Sequence, residues 1–589
     1  MKLWWLTDFE RLERERRAIE ELGQAEPWLQ DAQWVLEGMD FCVEATIEAA
    51  GAQHSIRLRY PPFFPAIPPG VWPQDPEAPR WSGHQYGAGG ELCLEWGPDT
   101  WHPEVTGAEV LRSAYRLLVS ENPLGEGEAA EVPSRHRTTV GQDLRLAWYR
   151  LVVTEAAAAR LRELEGEAEA ELQVLFHPGS LVAVVRSVEL AGETWTNLDV
   201  PKALAHVDWS WRVLVLRVEA PVSALRPKSL AELKEAASAT GLDPARLDVV
   251  DEKGKHRVDG VLLVDDAGGT ALVRIGDRDK GNVVRCETVL GQAGQEETRL
   301  GPEAFTFREK RVGVVGLGSA GSKIALMLAR SGVRKFVLVD DDLFLPENLV
   351  RHTLDWRSVG EHKVDGVGFQ LELVARGIEV EVERRQLTGQ ESTSSVARAL
   401  QKLAACDLVV DATACGRTFG LLATVAAQSD TALVWLEVFE GGVGGLIGRY
   451  RPGRDPEPFV IRGRVASFLE EQNAPKLRSA GLYAAQRASG EPLVASDADV
   501  TAISSHAARF ALDVLARREP SDFPQSVYLI GLSRAWLFEA PFHTLPIDVG
   551  EAEAKEEKER EGGRPSRETA AFIVEVVERS TSGRDSSSS

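Results

Sequence analysis

The sequence predicts a multidomain chain with an N-terminal α+β domain, an α+β middle module and a C-terminal doubly wound α/β domain. Three observations carry this. A helical stretch near the start runs into alternating strand patterns. Residues 172–300 hold a series of short β-like runs with one helix among them. From Arg311 a buried apolar run, a glycine-rich turn, a helix and a second apolar run follow in order. That last order is the beginning of a parallel sheet covered by helices.

The 589 residues suffice for about three or four domains. Hydrophobic residues make up 43% and charged residues 27%, as in ordinary globular proteins. The net charge of −23 argues against non-specific binding to nucleic acid or to an anionic membrane. No run reaches membrane length, and Met1-Lys-Leu-Trp-Trp passes straight into charged residues without an apolar leader core. The five cysteines, Cys42, Cys93, Cys286, Cys406 and Cys415, are scattered. They predict a reducing cytoplasm, with neither a disulfide framework nor a zinc site.

In chain order, Asp8–Leu22 places Phe9, Leu12, Ile19 and Leu22 at helical spacing. Trp34–Thr46 and His54–Arg59 alternate as strands about a turn at Gly51. Five prolines within Tyr60–Pro69 exclude a helix or a central strand. A loop with His84 then leads to Gly90-Glu-Leu-Cys93-Leu94, Trp101-His-Pro103, and a helix at Glu109–Ser120 that ends before Asn122-Pro-Leu124.

These pieces resemble the ubiquitin-conjugating enzymes, over about residues 1–150. The matching features are Y-P-x-x-x-P-x-x-P-P, a loop histidine, G-x-L-C-L, W-x-P and N-P-L. The resemblance implies that Cys93 carries a ubiquitin-like protein as a thioester, with His84 in support. A thiolate is a strong nucleophile, and its thioester still reacts with an amine. The family's H-P-N is His84-Gln85-Tyr86 here. Gln85, Tyr86 or backbone N–H groups are the alternatives for the oxyanion donor.

Glu126–Arg137 is rich in Gly, Pro and acids and serves as a closing segment or linker. Leu144–Glu171 reads as a long helix of Ala, Glu and Arg. Strand-like runs follow at 172–176, 181–188, 211–218, 258–264, 271–275 and 283–289, with a helix near 230–237. His177, His206 and His256 are too scattered for a metal set. Residues 151–304 are expected to be a linker or docking module.

The C-terminal domain, expected at 305–545, opens with strand Arg311–Val315, then Gly316-x-Gly318-x-x-Gly321, a helix over Ser322–Ser331 and strand Lys335–Val339. The glycines permit a tight turn, close approach of phosphate and close packing of helix on strand. The helix N-terminus offers N–H groups and a positive dipole end. Asp340 lies about twenty residues on, where a carboxylate holds ribose. Asn348, Arg351 and Lys363 follow. Two cations here suit attack on the α-phosphate of ATP rather than hydride transfer.

This stretch resembles the ThiF/MoeB-type adenylating enzymes, which include the ubiquitin-activating enzymes, over about residues 305–545. The carrying pieces are the glycine motif, Asp340 through Asn348-Leu349-Val350-Arg351, and Gly360-Glu-His-Lys363. The resemblance implies ATP held by Gly316, Gly318, Gly321, Asp340 and Asn348, with Arg351 and Lys363 on its phosphates. It also implies Mg2+. The family's D-x-T-D-N is Asp411-Ala-Thr-Ala414-Cys415 here, which leaves Asp411 as the residue for the metal.

Further elements are expected at 364–374, 378–384, 391–402, 407–410, 432–437, 442–449, 497–517, 526–532 and 534–538. Residues 450–510 hold no cysteine, where many relatives carry one. The acyl group then passes directly to Cys93, to Cys415, or to a hydroxyl such as Ser479. Residues 546–589 read as a flexible tail, with Phe572–Val577 a short element for a partner.

The expectation is therefore an activating and conjugating enzyme for a ubiquitin-like protein, using ATP and Mg2+. It resembles bacterial fusions of antiphage operons. Its partners are the ubiquitin-like protein and a target protein, with no nucleic acid and no membrane. A homodimer is a further expectation from the resemblance. The alternatives are a sulfur-carrier adenylyltransferase of cofactor biosynthesis and a non-catalytic scaffold that binds a ubiquitin-like protein.

Overall fold

The computed structural model describes residues 3–121, 132–133, 136, 139–145, 147–206, 209–291, 299–472, 485–486, 492–552 and 567–582. Asn122–Leu124, Ser479, and most of the 126–137 and 551–564 segments lie outside them. The chain forms two compact units, residues 1–146 and 147–589.

In the first unit, helix Phe9–Ala25 is capped by Asp8, whose side chain accepts from Arg11 N. A four-stranded antiparallel meander follows: β1 (Leu29–Glu37), β2 (Asp40–Ala49), β3 (Ala52–Tyr60) and β4 (Gly70–Pro73). The strand expected at Trp34–Thr46 is thus two strands. Gly38 adopts φ +62 and reverses the chain, which alternation alone does not reveal. Helix Gly107–Glu121 packs on the sheet. Buried Glu15 joins the layers: it accepts from Tyr60 Oη at 2.8 Å and Gly107 N at 2.7 Å, and pairs with Arg11 at 2.8 Å.

The second unit begins with strands β5 (Tyr149–Thr154), β6 (Ala168–His177), β7 (Ser180–Leu190), β8 (Glu193–Thr196), β9 (Ser210–Val218), β10 (Gly260–Asp265), β11 (Thr270–Ile275) and β12 (Val283–Gly291). Their order is β5-β12-β11-β10-β9-β6-β7-β8, and β5 also pairs with β7. Seven strands therefore close into a barrel, with β8 appended to β7. Leu151, Leu172, Val174, Val185, Val213, Leu262 and Leu272 belong to its buried core. Helix Leu230–Ala239 and the alternate residues Leu214, Leu216, Val261 and Val273 form a second core.

The long helix expected at Leu144–Glu171 is instead β5, the short helix Glu155–Arg162 and the start of β6. The run Tyr-Arg-Leu-Val-Val-Thr favours a strand. Thr154 then caps the helix by accepting from Ala157 N, and Gly166 turns the chain at φ +98.

Next comes an eight-stranded sheet in the order β15-β14-β13-β16-β17-β18-β21-β22. Its parallel part comprises β13 (Arg311–Val315), β14 (Lys335–Val339), β15 (Glu379–Glu383), β16 (Leu408–Asp411) and β17 (Ala432–Val438). Antiparallel β18 (Gly444–Tyr450), β21 (Val527–Gly531) and β22 (Thr544–Ile547) extend it. A separate short pair joins β19 (Ala485–Gln486) and β20 (Pro492–Leu493).

Helices Ser319–Arg330, Lys363–Val374 and Asp497–Ala516 contribute to one core cluster. Thr393–Ala404, Gly416–Gln428 and Pro458–Glu471 contribute to the other. Buried Arg449 pairs with Asp513 at 2.7 Å and donates to Phe523 O at 2.7 Å, which ties β18 to helix Asp497–Ala516. The strand expected at Arg534–Phe538 is a turn, with Trp536 at φ +57. Its apolar residues still fill the core, where Trp536 meets Phe439 and Phe538. Arg567–Ser582 forms a helix.

Candidate functional site

The β13–β16 neighbourhood is where the strand order reverses direction, and a doubly wound sheet opens a crevice at the carboxyl ends of such strands. Gly316 leaves β13 at φ +84, and a Cβ there would lie 2.9 Å from Thr413 Cγ2. A Cβ on Gly321 would lie 1.8 Å from Gly316 O. The first glycine is thus required by conformation and the third by contact. Gly318 is the N-cap of helix Ser319–Arg330, so free N–H groups of that helix face the turn.

Asp340, at the tip of β14, accepts from Leu317 N at 2.6 Å and Asp342 N at 2.8 Å. Burial raises its pKa; these two hydrogen bonds and Lys363 oppose the shift. Lys363 is buried at the start of its helix, with its ammonium against the exposed carboxylate of Asp342. Asn348 Oδ1 accepts from Leu345 N at 2.9 Å and secures the 346–350 turn. Arg351 Nη1 donates to Ala495 O at 3.2 Å.

Asp411 ends β16 and accepts from Thr413 N at 3.0 Å and Thr413 Oγ1 at 2.7 Å. Burial pushes its pKa up to about 6 despite those bonds. On neighbouring β17, Glu437 is also raised by burial and meets Arg462 at 3.4 Å. Ala414, in place of the family's second acid, adopts φ +51. Cys415 caps helix Gly416–Gln428, and hydrogen bonding to Thr418, chiefly its backbone, lowers the thiol pKa.

Sequence reading alone does not single out Lys323, Asp342 or His352. Lys323 reaches from the second turn of its helix to Asp497 at 2.7 Å and to the carbonyl of Arg351, holding the Arg351 turn beside the glycine motif. His352 Nε2 lies 2.7 Å from Leu317 O, and burial pushes its pKa down to about 4. Neutral His352 therefore donates one proton to that carbonyl. The only sequence signal for Lys323 is its position two residues after Gly321.

In the first unit Cys93 lies in a loop strapped by backbone bonds. Cys93 N donates to His84 O at 2.7 Å and Leu92 N to Val71 O at 2.8 Å. Burial raises the thiol pKa, a hydrogen bond from Tyr86 lowers it, and Glu91 and Asp99 add to the rise. Tyr86 is 73% exposed.

Gln85 is committed inward: its Oε1 accepts from Trp81 N at 2.7 Å and its Nε2 donates to Gly90 O at 2.9 Å. Both ends of the amide build the loop, which leaves Tyr86 and backbone N–H groups as the alternatives for the oxyanion donor. His84 points to the carbonyl of Val132. His84 and Cys93 line one cavity of 230 Å³. A second of 660 Å³ is also lined by Cys93, together with Tyr86, Trp72 and Asp99.

Residues 301–457 match the ThiF family model. Ubiquitin-like modifier-activating enzyme 5 of Caenorhabditis elegans is 30% identical over 152 residues, covering 25% of this chain and 36% of that protein. The ATP-dependent ubiquitin transferase-like protein Cap2 of Enterobacter hormaechei is 45% identical over 71 residues, 12% of each chain. The structure of Escherichia coli MccB with ATP covers 42% of this chain and 66% of its own, at 15% identity and TM-score 0.32. The chain spans about half or less of the length of the curated relatives it matches. The segment around the crevice is thus ThiF-like, related to ubiquitin-activating proteins. Among the described residues, no helix is long and apolar enough to cross a membrane.

Proposed function

We propose that the chain adenylates the C-terminal carboxylate of a ubiquitin-like protein and passes the acyl group to Cys93 and then to a target amine. The observation that carries this is the meeting of Gly316, Asp340, Lys363 and Asp411 around one sheet crevice, within the ThiF-like segment.

A carboxylate oxygen attacks the α-phosphorus of ATP and pyrophosphate leaves. Lys363 and Arg351 stabilise the charge that builds on the phosphate oxygens. The Cys93 thiolate then attacks the acyl carbon, AMP departs, and a thioester forms. A target amine displaces the thiolate and loses a proton. Asp411 and the nucleotide's own phosphates suit Mg2+, which commonly takes one or two carboxylates and phosphate oxygens. The metal neutralises phosphate charge when bound. Tyr86 donates to the oxyanion in the place the H-P-N asparagine holds in the conjugating enzymes.

Incubation with ATP, Mg2+ and a candidate ubiquitin-like protein tests this. The expected product is a DTT-sensitive adduct, which Cys93→Ser converts to a DTT-resistant one. Failure to split ATP into AMP and pyrophosphate with any such protein overturns the reading. Full activity of Cys93→Ala in forming a thiocarboxylate on a sulfur carrier supports the sulfur-carrier alternative.

A further inference from the structure

One end of the barrel carries a charged group that the proposed chemistry does not use. Period-2 alternation from the core residues Leu272, Val174 and Val213 puts Arg274, Phe176, Trp211 and Trp209 in the inward-facing register at this mouth. Tyr149 stands in the same register ahead of Leu151 on β5.

The Arg274 guanidinium lies over Trp211, 4.9 Å from its ring centroid, and over Tyr149 at 5.8 Å. Its Nε is buried and has no hydrogen-bond partner. No aspartate or glutamate among the described residues pairs with it. An arginine beside two aromatic faces loses part of its hydration, and stacking replaces only part of that loss. Its planar fork is suited to a carboxylate.

The rim around this cation is apolar and open. Phe176 is 64% exposed, Trp209 44% and Trp148 43%. They are neighbours by backbone: Trp209 O accepts from Val174 N at 3.0 Å, Trp148 O accepts from Leu181 N at 2.8 Å, and Leu181 pairs with Phe176. Exposed aromatics around an unpaired arginine are an unusual use of surface in a chain of net charge −23.

We propose that this barrel mouth binds an extended segment of a partner protein through an acidic side chain. The carboxylate pairs with Arg274, and flanking apolar residues pack on Phe176 and Trp209. Charge complementarity selects an acidic segment over a neutral one, and the aromatic rim supplies contact area at low conformational cost.

Calorimetric titration of the full chain tests this with two acetylated, amidated tetrapeptides, Leu-Phe-Glu-Leu and Leu-Phe-Gln-Leu. The acidic peptide is expected to bind saturably and at least tenfold more tightly than its amide twin. Arg274→Met should bring the acidic peptide to the level of the amide twin. Arg274→Lys, which keeps charge but not the fork, should fall between them. Trp209→Ala should weaken both peptides by a similar factor. ATP–pyrophosphate exchange should be unchanged in Arg274→Met, which separates this site from the adenylation centre. Three outcomes overturn the proposal: equal binding of the two peptides, absence of saturable binding, or full binding by Arg274→Met. Loss of a wild-type dimer on Trp209→Ala, seen by sedimentation, also overturns it and gives the face to a second copy of the chain.

Discussion

Lys363 and Asp342 are joined twice. The lysine ammonium rests against the aspartate carboxylate, and Lys363 N donates to Asp342 O at 3.0 Å. The lysine is buried and the carboxylate exposed, so a cation is held ready at the crevice with its resting partner on the solvent side. Lys363→Ala is expected to lower ATP–pyrophosphate exchange by about 10²–10³-fold, the usual cost of losing a donor to developing charge. Asp342→Asn keeps the backbone tie and should change exchange by less than about tenfold. Equal losses in both variants would assign the pair to architecture alone.

Of the groups around Cys93, Tyr86 lowers the thiol pKa, against burial, Glu91 and Asp99, which raise it. Tyr86→Phe should move the inflection of iodoacetamide alkylation of Cys93 to higher pH. Glu91→Gln should move it to lower pH. Both shifts are read by mass spectrometry of the Cys93 peptide across a pH series.

Asp411 binds its proton more tightly folded than unfolded, since burial raises its pKa from 3.8 to about 6. Between these values the folded state binds more protons than the unfolded one, so this group's contribution to stability declines as pH rises through that window. At neutral pH the charged carboxylate costs about 3 kcal/mol relative to its unfolded reference. Asp411→Asn should therefore raise the melting temperature at pH 7.5 more than at pH 4.5, measured without nucleotide or Mg2+. A larger gain at pH 4.5 would refute the assignment.

Arg449 and Asp513 are both buried and paired at 2.7 Å. Arg449→Met leaves a buried carboxylate without its cation and should cost about 3–5 kcal/mol in urea unfolding. Adding Asp513→Leu should recover a large part of that loss, because the unpaired charge goes with it.

The strand, glycine turn and helix that open the C-terminal sheet were legible because their signals are local. Arg311–Val315 and Lys335–Val339 are apolar runs buried within a sheet covered on both faces, Gly316 takes a positive φ at the turn between them, and Gly321 meets the carbonyl of Gly316 five residues before it. The span Leu144–Glu171 was not legible. Its Ala, Glu and Arg content favours a helix, while closure of the barrel by partners at β7 and β12 decides that Tyr149–Thr154 is a strand. The inward turn of Gln85 and the grip of Lys323 on the Arg351 turn depend on residues distant in sequence, which spacing does not reveal.

Closure of the barrel also sets an order of events during synthesis. Strand β5 lies between β7 and β12, and its Arg150 faces Glu287, near the end of the module. The barrel seam stays open until the ribosome has released β12, while the meander of the first unit has every strand partner within Leu29–Pro73. Such long-range closure is slow compared with local pairing, so the first unit is expected to mature while the barrel is still being translated.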